Sequence, residues 1–367
     1  MGICLTDRER EMILEMDLIY TVRWNGMEKY ICRKCGYSEK VSRWLWKCPK
    51  CGGVLDVMPV GSKCKKCITL GEGDTPLVNL FGFGRNIHFK LEYTNPTGSF
   101  KDRGTAAAMS RALEMGTMCV VEDSSGNAGI SVAAYAASGG VRANIVVPRD
   151  IAVPKRMLME SLGAQVYEAE DRDEASAKAQ EMEGKGCAYI GHPWNPWFVH
   201  GMAKFSNEVV KQMKEVPDSI VMPVSSGTLF VGSYHGFKSM SGKVPKMYAV
   251  QAAGSAPLYE KIHGKNGKKA SKLADALKIM EPPRLEQMAE IVSETKGDVS
   301  LVNDEMIVES LRKLLQSGAI VEPSSAAALA GYYDLLNSGK IDREESTVIV
   351  LTGSGLKYYE ALNRIKA

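Results

Sequence analysis

The sequence predicts an α/β protein built on largely parallel sheets, preceded by a small cysteine-rich module. Three observations carry that expectation. After Gly71, short β-branched runs alternate with longer patterns rich in Ala, Met and Leu. Turns of small polar residues follow three of those runs. Six of the nine cysteines fall in three C-x-x-C pairs within residues 32–67.

Residues 119–121, 143–147, 188–190, 219–222, 247–250 and 347–351 read as buried strands. Helical patterns cover 128–138, 154–163, 172–184, 201–214, 304–316 and 324–337. Strands separated by helical patterns of about 10–15 residues argue for βαβ units and a parallel sheet. Such crossovers are right-handed, so helices should cover both faces. Residues 262–300 are more polar and read as a loop-and-helix excursion within the same body.

At 367 residues, with 45% hydrophobic side chains, the chain has enough core for two or three folding units. Lys and Arg exceed Asp and Glu by 46 − 43 = 3, so no strong field draws nucleic acid or an anionic membrane. No apolar run reaches the roughly 18 residues of a membrane span. The first residues lack the basic and apolar regions of a secretory signal, and Asp7 breaks a myristoylation motif at Gly2. These features predict a cytoplasmic protein with no membrane or nucleic-acid partner.

The three turns are 123–129, Ser225-Ser226-Gly227-Thr228, and Thr352-Gly353-Ser354-Gly355. Ligands of open parallel sheets bind in the loops beyond the carboxyl ends of strands. A helix opening there offers unbonded N–H groups and a positive dipole end, which suit a phosphate or carboxylate. None of the turns matches G-x-x-x-x-G-K-[ST] or G-x-G-x-x-G, which removes the main support for a triphosphatase or dinucleotide enzyme.

Asn95-Pro96-Thr97-Gly98 reads as a turn, Ser99 as a helix cap, and Lys101 as a first-turn residue. The positive helix end disfavours an ammonium there, and only the neutral amine attacks an aldehyde. The plainer alternative is a solvated lysine paired with Asp102.

Gly98-Ser99-Phe100-Lys101-Asp102-Arg103-Gly104 resembles the cofactor-lysine motif of fold-type II pyridoxal-phosphate enzymes. Leu70 to Leu77, Val250 to Leu258, Glu322 to Ala327 and Leu351 to Lys357 are similar to motifs of the threonine synthase family. The resemblance runs from about 70 to 360 in consistent order. It implies two parallel-sheet, three-layer domains with pyridoxal phosphate between them: a large one of 69–105 and 205–367, and a small mobile one of 106–204. It further implies that Lys101 holds the cofactor as an imine and, once released, shuttles the α-proton. Phe100 would pack near the ring, Asn127 would bond its oxygen, and Thr352 would face the pyridine nitrogen. Ser225, Ser226, Gly227 and Thr228 would hold the cofactor phosphate. Ser124, Ser125, Gly126 and Ala128 would bind the carboxylate of an amino-acid substrate, in a homodimer.

Cys32-x2-Cys35 and Cys48-x2-Cys51 have nearly the spacing of a four-cysteine zinc site, within a zinc-ribbon-like module at 28–68. Four sulfurs leave no open position, which predicts a structural ion. Cys64 and Cys67 could replace one pair, bind a second ion or do redox work. Cys4, Cys119 and Cys187 read as unrelated, with Cys119 a small core residue.

The family pattern also fails in places. It usually has an arginine where Phe198 stands, a threonine where Ala128 stands, and asparagines where Ser226 and Leu229 stand. Each lost charge-assisted phosphate contact costs about 1.5–3 kcal/mol. His200, Lys204, Lys155 and Arg156 are the candidate compensating cations. Two enzyme readings therefore compete. One is a threonine synthase-like lyase acting on O-phospho-L-homoserine or a related activated amino acid. The other is a serine/threonine dehydratase or a β-replacement enzyme. A third reading, from the basic residues and tryptophans of the module (Arg33, Lys34, Lys40, Arg43, Lys47, Trp44 and Trp46 among them), is a nucleic-acid module on a silent scaffold.

Overall fold

The computed structural model describes residues 28–59, 67–240, 242–264 and 270–358. The N-terminal motif at Gly2, Cys4 and Cys64 lie outside the described residues. Elements are numbered along the chain.

Three sheets organise the chain. The smallest has the order β2-β1-β3, from Lys29–Ile31 (β1), Ser38–Lys40 (β2) and Asp56–Met58 (β3), and is antiparallel. The largest has the order β12-β11-β10-β13-β5-β4. Its strands are Leu77–Val78 (β4), Ile87–Lys90 (β5), Ser219–Pro223 (β10), Lys246–Ala252 (β11), Val299–Val302 (β12) and Thr347–Val350 (β13). All its pairings are parallel except that of β4 with β5. The third is wholly parallel, with the order β8-β7-β6-β9. It comprises Cys119–Glu122 (β6), Arg142–Pro148 (β7), Gln165–Ala169 (β8) and Ala188–Tyr189 (β9).

Strands β6, β10 and β13 are buried almost throughout, which is why they read as continuous apolar runs rather than alternating ones. The helices between them are Lys101–Glu114 (α1), Asn127–Gly139 (α2), Val153–Ser161 (α3), Arg172–Gly184 (α4), Pro196–Met202 (α5), Lys204–Met213 (α6) and Thr228–Met240 (α7). Pro257–His263 (α8), Leu285–Glu294 (α9), Asp304–Gln316 (α10) and Pro323–Asn337 (α11) follow. Helix α11 is rich in Ala, starts with Pro at its first position and is buried over most of its length. Small side chains let it lie close against the sheet.

Three expectations change. The helix expected over 201–214 is part of a pair, α5 and α6, that meets at Ala203. Strands β4, β5, β8 and β12 were not foreseen. Strand β8 is an edge strand with mostly exposed residues, and β5 carries His88 and a buried Lys90, so neither shows an apolar run. Finally, Cys119 and Cys187 form a disulfide and are not unrelated. Parallel pairing of Val120 with Ala188 sets the preceding residues of both strands side by side, 68 positions apart in sequence.

Candidate active site

Phe100 is the residue that precedes α1, and Lys101 is its first residue. Ser99 does not cap the helix. Its backbone pairs with Gly353, and its buried Oγ has no hydrogen-bond partner. The pairing of Lys101 with Asp102 does not form either. Asp102 is buried and turned away, accepting bonds from Thr97 N (2.7 Å), Thr97 Oγ1 (2.5 Å) and Ser131 Oγ (2.6 Å). Lys101 Nζ lies 4.6 Å from the Phe100 ring centre and 5.9 Å from that of Phe198. Burial pushes this amine down to about 8, against the opposing pull of the Glu122 and Glu322 carboxylates. Its side chain is open to a cavity rather than to bulk water.

That cavity, of about 240 Å³, is where the predicted residues meet. Phe100, Lys101, Asn127 and Thr352 line it, as do the whole Ser225–Thr228 turn and the loop of Ser124, Ser125, Gly126 and Ala128. The geometry follows from topology. Loop 123–126 leaves β6 and enters α2, 224–227 leaves β10 and enters α7, and Thr352 follows β13. All three sit at the carboxyl ends of parallel strands.

A cofactor with an aldehyde, a phosphate and a pyridine ring fits these residues. The amine of Lys101 makes no salt bridge with a described residue. The buried Ser226 and Thr228 hydroxyls stand 3.4 Å apart at the N-terminus of α7, a 13-residue helix whose leading amides face an anion well.

Two residues at or beside the cavity, Glu322 and Lys357, escaped the sequence reading as site residues. Asn127 Nδ2 donates to Glu322 Oε2 (3.1 Å), and Lys357 Nζ donates to Asn127 Oδ1 (2.6 Å). An ammonium only donates, so Lys357 fixes which end of the amide faces Glu322. Burial raises the Glu322 carboxyl and lowers the Lys357 amine. Both residues stand inside quoted motifs, but only the fold shows them together. His192 and Asp123 also line the cavity, and His192 Nδ1 lies 2.8 Å from Oε1 of Glu122.

The departures have definite places. Phe198 is fully buried behind Lys101 and lies outside the cavity lining. A Cβ on Gly104 would come within 2.4 Å of its ring, so α1 tolerates Phe198 only because residue 104 has no side chain. Of the four candidate cations, Lys155 comes nearest the cavity, beside its lining without forming part of it. Its Nζ lies 4.5 Å from the Tyr358 ring and 3.9 Å from Asp275, and both of those residues line the cavity. Arg172 and Lys278 line the cavity itself. His200 is half-buried, with its imidazole pushed down to about 4 by desolvation, so it is no cation; Arg156 is paired with Glu160, and Lys204 is exposed.

In the module, the four predicted sulfurs of Cys32, Cys35, Cys48 and Cys51 lie within 4.8 Å of one another and are thiols, not disulfides. Cys32 stands 3.6 Å from Cys51, and Cys35 stands 3.6 Å from Cys48. Zinc–sulfur bonds of about 2.3 Å in a tetrahedron require nearly this spacing. Burial pushes the Cys32 thiol up to about 12, whereas the Gly53 amide helps to bring Cys51 down to about 7. Cys67 is disulfide-bonded, so it offers no thiolate. Trp46 packs edge-on against Tyr189 and Trp194, and Arg33 pairs with Asp56. Those side chains dock the module against the rest of the chain.

The pyridoxal-phosphate dependent enzyme family matches residues 68–353. A threonine synthase of Bacillus sp. (strain ULM1) is 32% identical, over 82% of this chain and 87% of that protein. One of Methanocaldococcus jannaschii is 29% identical, over 91% and 94% respectively. Among solved structures, threonine deaminase isoform 2 of Solanum lycopersicum superposes with a TM-score of 0.68 at 25% identity, covering 80% of this chain and 87% of that one. A pyridoxal 5'-phosphate-dependent aspartate racemase gives 0.68 at 24% identity, covering 77% and 90%. The chain belongs to the pyridoxal-phosphate dependent enzymes, among the threonine synthase-like lyases.

Proposed function

We propose that this member of the pyridoxal-phosphate dependent enzymes converts O-phospho-L-homoserine, or a related activated amino acid, by α-proton removal followed by elimination or replacement. The observation that carries the reading is the unpaired Lys101 amine, sharing one cavity with a phosphate-fitting turn and the cations Arg172 and Lys278. Bound pyridoxal phosphate would supply an electron sink for the charge left at Cα.

The chain's own residues do the rest. Lys101, with its proton affinity lowered by burial, accepts the α-proton near neutral pH. Ser225, Ser226, Gly227 and Thr228 hold the cofactor phosphate, and Phe100 packs beside the ring. Asn127 donates to the ring oxygen. Thr352 offers the pyridine nitrogen a neutral hydroxyl, which leaves that nitrogen largely unprotonated and suits elimination over transamination. Ser124, Ser125 and the amides of 126–128 bind the substrate carboxylate at the opening of α2. Residues 106–204 close over it as a small domain and exclude water. Lys155, Arg172 and Lys278 take the distal acidic group. Cys32, Cys35, Cys48 and Cys51 hold one structural zinc, and the enzyme works as a homodimer.

A second reading, a serine/threonine dehydratase, is favoured by Phe198, an apolar ring where the family's phosphate-binding arginine is expected. One assay pair separates the two. The first reading expects phosphate release from O-phosphohomoserine with threonine formed. Formation of a 2-oxo acid from serine or threonine, with no phosphate released, replaces it by the second.

A further inference from the structure

One pair at the cavity wall, His192 on the lining and Glu122 buried behind it, is used by none of the roles above. Glu122 ends the central strand β6 with its side chain fully buried. Its sole salt-bridge partner among the described residues is His192, whose Nδ1 lies 2.8 Å from Oε1 and whose backbone N–H donates to Oε2 at 3.3 Å. A carboxyl buried without a permanent cation costs several kcal/mol, and such groups cluster at functional sites. The imidazole lines the same cavity as Lys101, and no bond to Nε2 from a described residue accompanies the one at Nδ1.

We propose that His192, aligned by the buried carboxyl of Glu122, carries the proton to or from the oxygen at substrate Cβ, as a second proton-handling group beside Lys101. The proposal rests on the lyase reading above and assigns the step that Lys101 does not perform. When water adds, its oxygen bonds to Cβ. The released proton passes to Nε2, and the Nδ1 proton moves to the Glu122 carboxylate. When a hydroxyl departs, the Cβ–O bond breaks with its electron pair on oxygen. That oxygen takes the Nε2 proton, and Nδ1 recovers one from the Glu122 carboxyl. Every proton is accounted for, and the imidazole stays neutral in both resting states.

The surroundings suit this role. Burial and the nearby Lys101 push the imidazole well below its ordinary range, while Asp123, also on the cavity wall, pulls the other way. Burial raises the Glu122 carboxyl to about 7, so it is poised to hold or give a proton near neutrality. An ammonium on Lys101 favours the Glu122 carboxylate. Arrival of the α-proton therefore helps to drive the second proton outward through His192.

The test compares leaving groups. Chloride leaves β-chloro-L-alanine without needing a proton, whereas hydroxide leaving threonine, or water adding to form it, requires one. His192→Gln should lower 2-oxobutyrate formation from threonine, or threonine formation from O-phosphohomoserine, by roughly 100- to 10,000-fold. Elimination from β-chloroalanine should fall far less. Equal loss on both substrates, or no loss on the first, overturns the proposal. With histidine ¹⁵N-labelled, the five imidazoles can be followed by NMR, that of His192 being assigned from the variant. Glu122→Gln should change the tautomer of His192 and abolish its response to pH near 7; an unchanged ring overturns the alignment by Glu122. If the native chain binds no cofactor and turns over neither substrate, the lyase reading fails. The tautomer measurement still decides whether the pair exists.

Discussion

The cysteine module and the lysine cavity are built on opposite plans. The four clustered sulfurs of the module come from residues 32–51, and two copies of one local turn place them. In the first, Gly36 N donates to Cys32 O; in the second, Gly52 N donates to Cys48 O, both at 2.9 Å. Gly36 and Gly52 share a φ of 70°, a left-handed conformation that suits glycine. The cavity instead gathers residues from Phe100 to Tyr358, and no two of its loops are neighbours in sequence. A site made by turns is specified locally, whereas one made by strand ends exists only when the sheets have formed.

The largest expected effect isolates the cavity from the module. Lys101→Ala should remove the visible band of lysine-bound pyridoxal phosphate near 410–420 nm (roughly) and lower turnover on the order of a thousandfold or more. Zinc content, read by atomic absorption, should be unchanged. A loss of metal in this variant would show that the two sites are not independent.

Next comes the seam between them. Asp56, on β3, accepts from Arg284 Nη1 (3.0 Å), Arg33 Nε (3.0 Å) and Gln287 Nε2 (2.8 Å), and Arg284 is fully buried. Asp56→Asn leaves that guanidinium uncompensated and should cost about 3–5 kcal/mol, measured by urea denaturation. A cost near zero would mean that the module docks by its apolar contacts alone.

A smaller, more local loss should follow Cys48→Ser. The metal should no longer bind stoichiometrically and the melting temperature should fall by several degrees, while the cofactor band survives at 25 °C (about room temperature). Disappearance of the band would couple module to cavity.

The smallest effect is one of pH. In the folded chain Lys101 sheds its proton near 8; in the unfolded chain it does so in the ordinary lysine range. Between those values the unfolded chain binds more protons, so the cofactor-free protein should gain stability as pH rises through that window. Lys101→Ala should remove the slope. A slope that persists belongs to another group.

Much of this was legible in the residues. Phe100, Lys101, Asn127 and Thr352 stand beside turns or motifs visible as short strings, and each lines the cavity. The pairing of Cys119 with Cys187 was not legible, because it depends on which strands become neighbours. The same is true of His192 with Glu122, 70 positions apart, and of Asn127 with Glu322, 195 apart. Strand β8 was missed because an edge strand has too little buried surface to need an apolar run.

The sequence by itself determined the parallel α/β plan, the first-turn place of Lys101 and the four-cysteine spacing, because each is a pattern of near neighbours. Only the tertiary structure decided that Asp102 turns away from Lys101, that Phe198 is packing rather than lining, and that Lys155 sits beside two cavity-lining residues while His200 does not. Those outcomes turn on burial and on the direction of side chains across sheet ends, and neither is set until distant segments meet.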